Sequence, residues 1–168
     1  CPDHTRSAQH DATLAPGFLP DPHETAIPAG GNFDISECGQ PGSTGYFAMA
    51  ADFELNWSGS GDDLYLYARG DADTVLLVRD PNGVIHINDD YAEGSLNSGV
   101  ELIGSNAPAG KYLVWVGTYA KRDDYPTVTL EVSEAPPILA PLDDNDSQTA
   151  CPDHTLSATH NDRLTPGF

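Results

Sequence analysis

Positive charge is scarce in this chain of 168 residues, which has 7 lysines and arginines against 26 aspartates and glutamates. The formal net charge of −19 repels nucleic acid and anionic membrane surfaces, so we expect neither DNA nor RNA as a partner. Long apolar runs are also missing. No stretch of 18 consecutive apolar residues occurs, and we therefore expect no membrane span.

Recognisable catalytic signatures are missing as well. The sequence contains no Gly-x-Ser-x-Gly elbow, no His-Glu-x-x-His pair and no phosphate-cradling glycine loop. Serine, histidine and aspartate are all present, but no spacing among them matches a known catalytic arrangement. We therefore predict that the chain is not an enzyme.

What the chain does contain is a repeated segment at its two ends. Residues 1–18, CPDHTRSAQHDATLAPGF, recur at 151–168 as CPDHTLSATHNDRLTPGF, with twelve of eighteen positions identical at an offset of 150. The repeat predicts a connector that serves neighbouring modules. Its candidate assembly residues are Cys1, His4, His10 and Phe18, with the equivalents Cys151, His154, His160 and Phe168.

The offset also explains an odd cysteine count. The chain has three cysteines, but one period of 150 residues holds two, which predicts a disulfide between Cys38 and either Cys1 or Cys151. A disulfide indicates an oxidising, extracellular compartment. The rival interpretation is a zinc site at the repeated Cys-x2-His-x5-His spacing, which lacks a clear fourth ligand.

Composition divides the chain into four parts. Residues 1–32 are rich in Pro, Gly, His and Asp, and we expect an extended connector there that begins with the first copy of the repeat. Residues 33–133 have the sequence pattern expected of a folded domain. Residues 134–150 form a Pro- and Asp-rich linker, and 151–168 are the second copy of the connector.

The domain between the linkers is predicted to be all-β. Short runs of alternating apolar residues are separated by turn signals, of which Asp80-Pro81-Asn82-Gly83 is the best hairpin signal. About eight antiparallel strands in such a length are typical of a jelly-roll-like β-sandwich with extended terminal segments. Inward alternation predicts a core of Phe53, Leu64, Leu66, Val75, Leu77, Ile85, Ile87, Leu102, Leu113, Trp115, Val128 and Leu130.

The order of several motifs resembles one protein family. The motifs are Asp73-Thr74-Val75-Leu76-Leu77-Val78, Asp80-Pro81-Asn82-Gly83, Asn88-Asp89-Asp90, Asn97-Ser98, Pro108-Ala109-Gly110-Lys111-Tyr112 and Val114-Trp115-Val116. Over residues 44–133 they resemble the bacterial pre-peptidase C-terminal domain. The resemblance implies a secreted, calcium-stabilised module, and some members of that family bind collagen or other extracellular polymers.

Oxygen-rich turns give two candidate calcium sites. Hairpin loops that meet at one end of a sandwich would gather Asp71, Asp73, Asn88, Asp89, Asp90 and Glu93, the ligand types that calcium prefers. A weaker candidate in the second linker consists of Asp143, Asn145 and Asp146. Both sets also have an interpretation without an ion, as turn-forming residues in the first case and as a solvated acidic linker in the second.

Together these patterns predict a structural module of a secreted or cell-surface bacterial array or filament, joined head-to-tail by the repeated connector to neighbouring copies. The alternative is a binding module, either an adhesin repeat or a substrate-targeting appendage of a secreted hydrolase, whose partner would be an extracellular polymer or a cell surface. The number of repeats in the complete gene separates the two functions.

Overall fold

The computed structural model describes residues 1–39 and 43–138. Cys1–Pro137 form one compact unit, and the fold below is the fold of that unit. The weaker calcium set and the second connector copy lie outside the described residues. These are Asp143, Asn145, Asp146, Cys151, His154, His160 and Phe168.

The described part of the chain forms eleven strands and two short 3₁₀ turns. The strands are β1 (His10–Leu14), β2 (His23–Pro28), β3 (Phe33–Asp34), β4 (Tyr46–Phe47), β5 (Phe53–Trp57), β6 (Leu64–Arg69), β7 (Thr74–Arg79), β8 (Ile85–Asn88), β9 (Gly99–Leu102), β10 (Gly110–Thr118) and β11 (Thr127–Ser133). The 3₁₀ turns are Ile35–Cys38 and Gly104–Asn106.

The strands form two sheets that pack as a β-sandwich, which confirms the predicted all-β class. In the larger sheet the order is β1-β5-β10-β4-β3, and β7 pairs with both β10 and β8. The smaller sheet has the order β2-β11-β6-β9. The β1–β5 pair is parallel, and every other pairing described is antiparallel, as expected.

The larger sheet is buried on both of its faces. Successive side chains of a strand point to opposite faces, and both sets are apolar along β7 and β10. Leu76 and Val114 belong to the main cluster between the sheets, whereas Leu77 and Trp115 belong to a second cluster on the outer face. The N-terminal residues and the Ile35–Cys38 turn cover that outer cluster.

Ten of the twelve predicted core residues are buried, and Ile85 and Ile87 are half-buried. The twelve residues do not form a single core, however. Six belong to the main cluster, while the other six, Val75, Leu77, Ile85, Ile87, Leu113 and Trp115, belong to the outer cluster. Alternation identifies which residues share a face, but a sheet covered on both sides offers two apolar faces.

Residues 1–32 differ from the expected extended connector because they supply a strand to each sheet. β1 lies against the edge of β5, and β2 pairs with β11 from Thr127↔Pro28 to Val132↔His23. A proline-rich stretch with two cis peptide bonds, at Leu19-Pro20 and Asp21-Pro22, separates the two strands. The strands escape detection in the sequence because few of their side chains pack on the core, namely Ala12 and Leu14 in β1 and Ile27 in β2, and their backbone partners lie far along the chain.

Candidate functional site

The candidate site is the place where the first copy of the repeat lies on the sandwich. We call residues 1–18 the first segment, and we call the surface that receives it, formed by the edge of β5 with Met49–Asp52 and Trp57, the groove. β1 pairs in parallel with β5, from His10↔Phe53 to Leu14↔Trp57. Backbone bonds continue this ladder in both directions, as the Asp3 N–H donates to the Met49 carbonyl at 2.7 Å and the Ser58 N–H to the Leu14 carbonyl at 3.1 Å.

Apolar side chains anchor the first segment to both clusters. Ala8 packs on the outer cluster, while Ala12, Leu14 and Phe18 pack on the main cluster. The Phe18 ring meets the ring of Trp57 edge-on, with centroids 6.2 Å apart. Edge-on aromatic contacts of this kind add to the stability gained by burial. The segment is thus part of the folded unit.

A disulfide fixes the start of the segment. Cys1 is bonded to Cys38, which is one of the two pairings predicted from the sequence. Asp34 caps the 3₁₀ turn that carries Cys38, because its Oδ1 accepts the Ser36 N–H at 2.9 Å. A sulfur in a disulfide is not a thiolate and cannot serve as the zinc ligand of the rival interpretation.

The two histidines of the first segment lie at the surface. His4 and His10 are both exposed, and His10 is the first residue of β1. His4 lines a cavity of about 200 Å³ beside the disulfide, together with Arg79 and Trp115. The His10 backbone N–H belongs to the ladder, but neither imidazole is buried in the groove, so side-chain packing does not explain why both histidines are repeated.

The end of the first segment lies next to the place where the chain leaves the sandwich. Gly17 has a φ of +77°, which favours glycine, and its N–H donates to a Glu134 carboxylate oxygen at 2.7 Å. The Glu134 N–H in turn donates to Asp21 at 3.4 Å. Glu134 follows β11 directly, so the second linker begins beside the segment's last turn.

Asp52 is a buried residue of the groove that sequence reasoning missed. The larger sheet has a gap between β4 and β5, and the Asp52 Oδ2 fills it by accepting the Val116 N–H at 2.8 Å. The Asp52 N–H donates to the Val114 carbonyl, and the Asp52 carbonyl accepts the His10 N–H. Burial raises the pKa of the Asp52 carboxyl to about 7, although the Val116 N–H opposes the shift.

Three residues of the first calcium set lie near one another. Burial, followed by the negative charges of Asp90 and Asp89, raises the pKa of Asp73. Asn88 accepts the Gly99 N–H at 3.4 Å through its Oδ1, and Asp71 and Glu93 are exposed. Among residues 1–39 and 43–138, no group of three or more histidine, cysteine, aspartate or glutamate side chains has a geometry that could hold a metal ion. Calcium binding therefore stays a prediction.

Calcium is expected to raise the Tm of the chain if the carboxylates of Asp73, Asp89 and Asp90 gather around it. An ion that binds the folded state alone stabilises it by about 2.7 kcal/mol at one hundred times its Kd, which corresponds to a Tm rise of several degrees. Differential scanning calorimetry in millimolar calcium and in chelator measures the shift. Asp90→Asn should reduce it, while Asp11→Asn should not, because Asp11 is exposed in β1, which β5 and β10 separate from β7. A Tm that is the same in calcium and in chelator contradicts the prediction.

The fold and the groove define a disulfide-linked β-sandwich module whose edge strand comes from a repeated sequence. The chain matches no known protein-family model, and no similar curated protein is found. Likeness to the pre-peptidase C-terminal domain therefore stays a prediction. No helix among the described residues is long and apolar enough to cross a membrane.

Proposed function

We propose that the chain is a structural module of a secreted or cell-surface tandem array or filament, in which each copy of the 18-residue repeat begins a module as its first strand. The observation that carries this proposal comes from comparing the two copies. Positions that are partly buried in the first copy are mostly retained in the second, and positions that differ are mostly exposed in the first.

Positions that pack in the first copy are retained in the second. Six residues of the first segment are partly buried, and five of them keep their identity at an offset of 150: Pro2, Asp3, Ala8, Leu14 and Phe18. The cysteine that forms the disulfide and the positive-φ glycine are also kept, as Cys151 and Gly167. Retention of all but one of the partly buried positions is the pattern expected if the second copy packs as the first copy does.

Positions that differ are almost all exposed in the first copy. Six positions change, and five of them have exposed side chains there: Arg6, Gln9, Asp11, Thr13 and Ala15. Backbone pairing tolerates the changes at Arg6, Asp11, Thr13 and Ala15 because a β-ladder is formed by main-chain groups. This supports a second copy that adopts the same strand on a groove of its own.

The path of the chain through the unit suits a serial arrangement. The first segment starts at the disulfide on the outer face of the larger sheet and ends beside Glu134, where the second linker begins. Each linker would then lead from the end of one module to the first cysteine of the next. Head-to-tail contacts that do not close into a ring produce open filaments.

The setting that we propose is extracellular and bacterial. A disulfide in a small β-sandwich suits an oxidising compartment, and a net charge of −19 keeps such an array soluble and disfavours nucleic acid as a partner. The pre-peptidase resemblance and a calcium-stabilised loop are part of the same proposal. Neighbouring copies of the module are its main partners, and no catalytic role is proposed.

The mass of the natural polypeptide tests the array. Purified material that is reduced and denatured should have a mass of several periods of 150 residues. Limited proteolysis should give a ladder in steps of one module, because a Pro- and Asp-rich linker is the preferred site of cleavage. A single module attached to a peptidase would contradict the array and favour the substrate-targeting appendage. A ladder from material that binds an extracellular polymer but forms no filament would favour the adhesin repeat.

A further inference from the structure

We infer that the groove is selective: it fits the first segment, and the segment 151–168 fits the groove of a following module whose sequence has diverged from this one. The inference rests on the proposed function and deepens it, because it names the partner of the second segment. That partner is reached along the main chain and is not a separate, identical subunit.

The groove on this chain is already occupied. The first segment fills the edge of β5, and its Cys1 uses the Sγ of Cys38. A second segment could enter only by displacing the first and by exchanging the disulfide, so that Cys151 bonds to Cys38 and Cys1 leaves as a thiolate. The contacts that the second segment would form only replace those that the first segment loses, so the exchange brings no net gain in contacts. Attachment in cis favours the first segment over a segment of a separate chain, because its effective concentration at the groove is high.

Ala12 is the one changed position of the first segment that is partly buried. Ala12 lies opposite Leu55 in the β1–β5 ladder and packs on the main cluster. The second copy has Asp162 at this position. A carboxylate placed against an apolar cluster without a partner is costly, so this groove disfavours the second segment.

Gln9 forms a hydrogen bond with Asp52, the buried carboxylate of the groove. Its Nε2 donates to the Asp52 Oδ1 at 3.3 Å, and this is the side-chain bond that joins the first segment to Asp52. The second copy has Thr159 there, and a threonine side chain is too short to make the same bond. Asp52 would then lose a hydrogen-bond donor in a buried position.

These two changes predict compensating changes in the groove that receives the second segment. We expect a polar or cationic residue to face Asp162, and we expect the acid equivalent to Asp52 to have another donor or to be replaced. The specificity-determining positions of the segment are thus 9 and 12, while positions 6, 11, 13 and 15 are neutral. Modules of one array would each hold their own first strand and reject those of their neighbours.

A swap between the two segments of the full chain tests this selectivity. The swap variant is Gln9→Thr, Ala12→Asp, Thr159→Gln and Asp162→Ala, and the matched control exchanges residues 6, 11, 13 and 15 with 156, 161, 163 and 165. Each chain is equilibrated in a glutathione redox buffer. Peptide mapping by mass spectrometry then gives the ratio of Cys38 bonded to Cys1 over Cys38 bonded to Cys151.

We expect the parent chain to favour the Cys1–Cys38 bond by at least ten-fold. The swap should lower the ratio by at least about ten-fold, equivalent to roughly 1.4 kcal/mol, and the control should leave it within two-fold. The pair Gln9→Thr and Thr159→Gln alone, which leaves the apolar cluster intact, should shift the ratio by less in the same direction. A ratio that does not respond to the swap, or that responds equally to the control, overturns the selectivity. The polypeptide mass would be unaffected by that result, so the array is tested separately.

Discussion

Replacing Cys1 and Cys38 together by alanine is expected to lower the free energy of unfolding by about 4 kcal/mol. The disulfide closes a loop with a sequence separation of 37, and a loop of that length restricts the unfolded chain by about this amount. The Tm should fall by roughly 10–15 °C. Thermal unfolding followed by circular dichroism measures the change.

The third cysteine supplies the matched control for this experiment. Cys151→Ala removes a cysteine of the same sequence context, but it leaves the Cys1–Cys38 bond in place. It should therefore leave the Tm of the parent chain unchanged. A double variant as stable as the parent, or a loss of stability in Cys151→Ala, would show that the disulfide does not hold the first segment in the folded unit.

Stability is expected to depend on pH through Asp52. Its pKa is about 7 in the folded chain, compared with an ordinary value of 3.8, because its carboxyl is buried. The folded state therefore retains a proton that the unfolded state releases as the pH rises above 4. The free energy of unfolding should fall between about pH 4 and pH 7, by up to about 4 kcal/mol for a shift of about three units, and this contribution should be constant above pH 7.

Asp52→Asn isolates that contribution. The amide oxygen of asparagine can still accept the Val116 N–H, but the side chain does not titrate. The variant should lack the fall in stability between pH 4 and pH 7 and should be more stable than the parent at pH 8. Urea unfolding at pH 4.5 to 8.5 measures both chains, and the difference between them cancels the other titrating groups. Two parallel stability curves would show that Asp52 is not a buried acid.

The sequence predicted much of the sandwich because its central strands carry a strong local signal. β6, β7 and β10 alternate apolar residues and lie next to clear turns such as Asp80-Pro81-Asn82-Gly83, which joins β7 to the hairpin partner β8. Burial of ten predicted core residues followed from that alternation. Local patterns do not show which apolar face of a strand meets the second sheet. Trp115 was therefore expected in a single core between the sheets, whereas it lies in the outer cluster.

The strands that were missed are those whose partners lie far along the chain. β1 is held by backbone bonds to β5, 43 residues away at His10↔Phe53, and most of its side chains are exposed. No local pattern carries that pairing. Asp52 is a similar case, because an aspartate beside a strand usually indicates a turn, whereas here it fills a gap in a ladder. The repeat itself was visible in the sequence, but its role as a strand of the module was not.

Electron microscopy of the native material tests the central claim, that the repeat begins each module of a serial array. Fibres should show an axial repeat of one module. Density for one copy of the repeat should lie along the β5 edge of every module, with its first cysteine bonded to the cysteine equivalent to Cys38. Monodisperse single particles in calcium-containing buffer, or fibres in which the segment spans between modules without joining a sheet, would contradict the account.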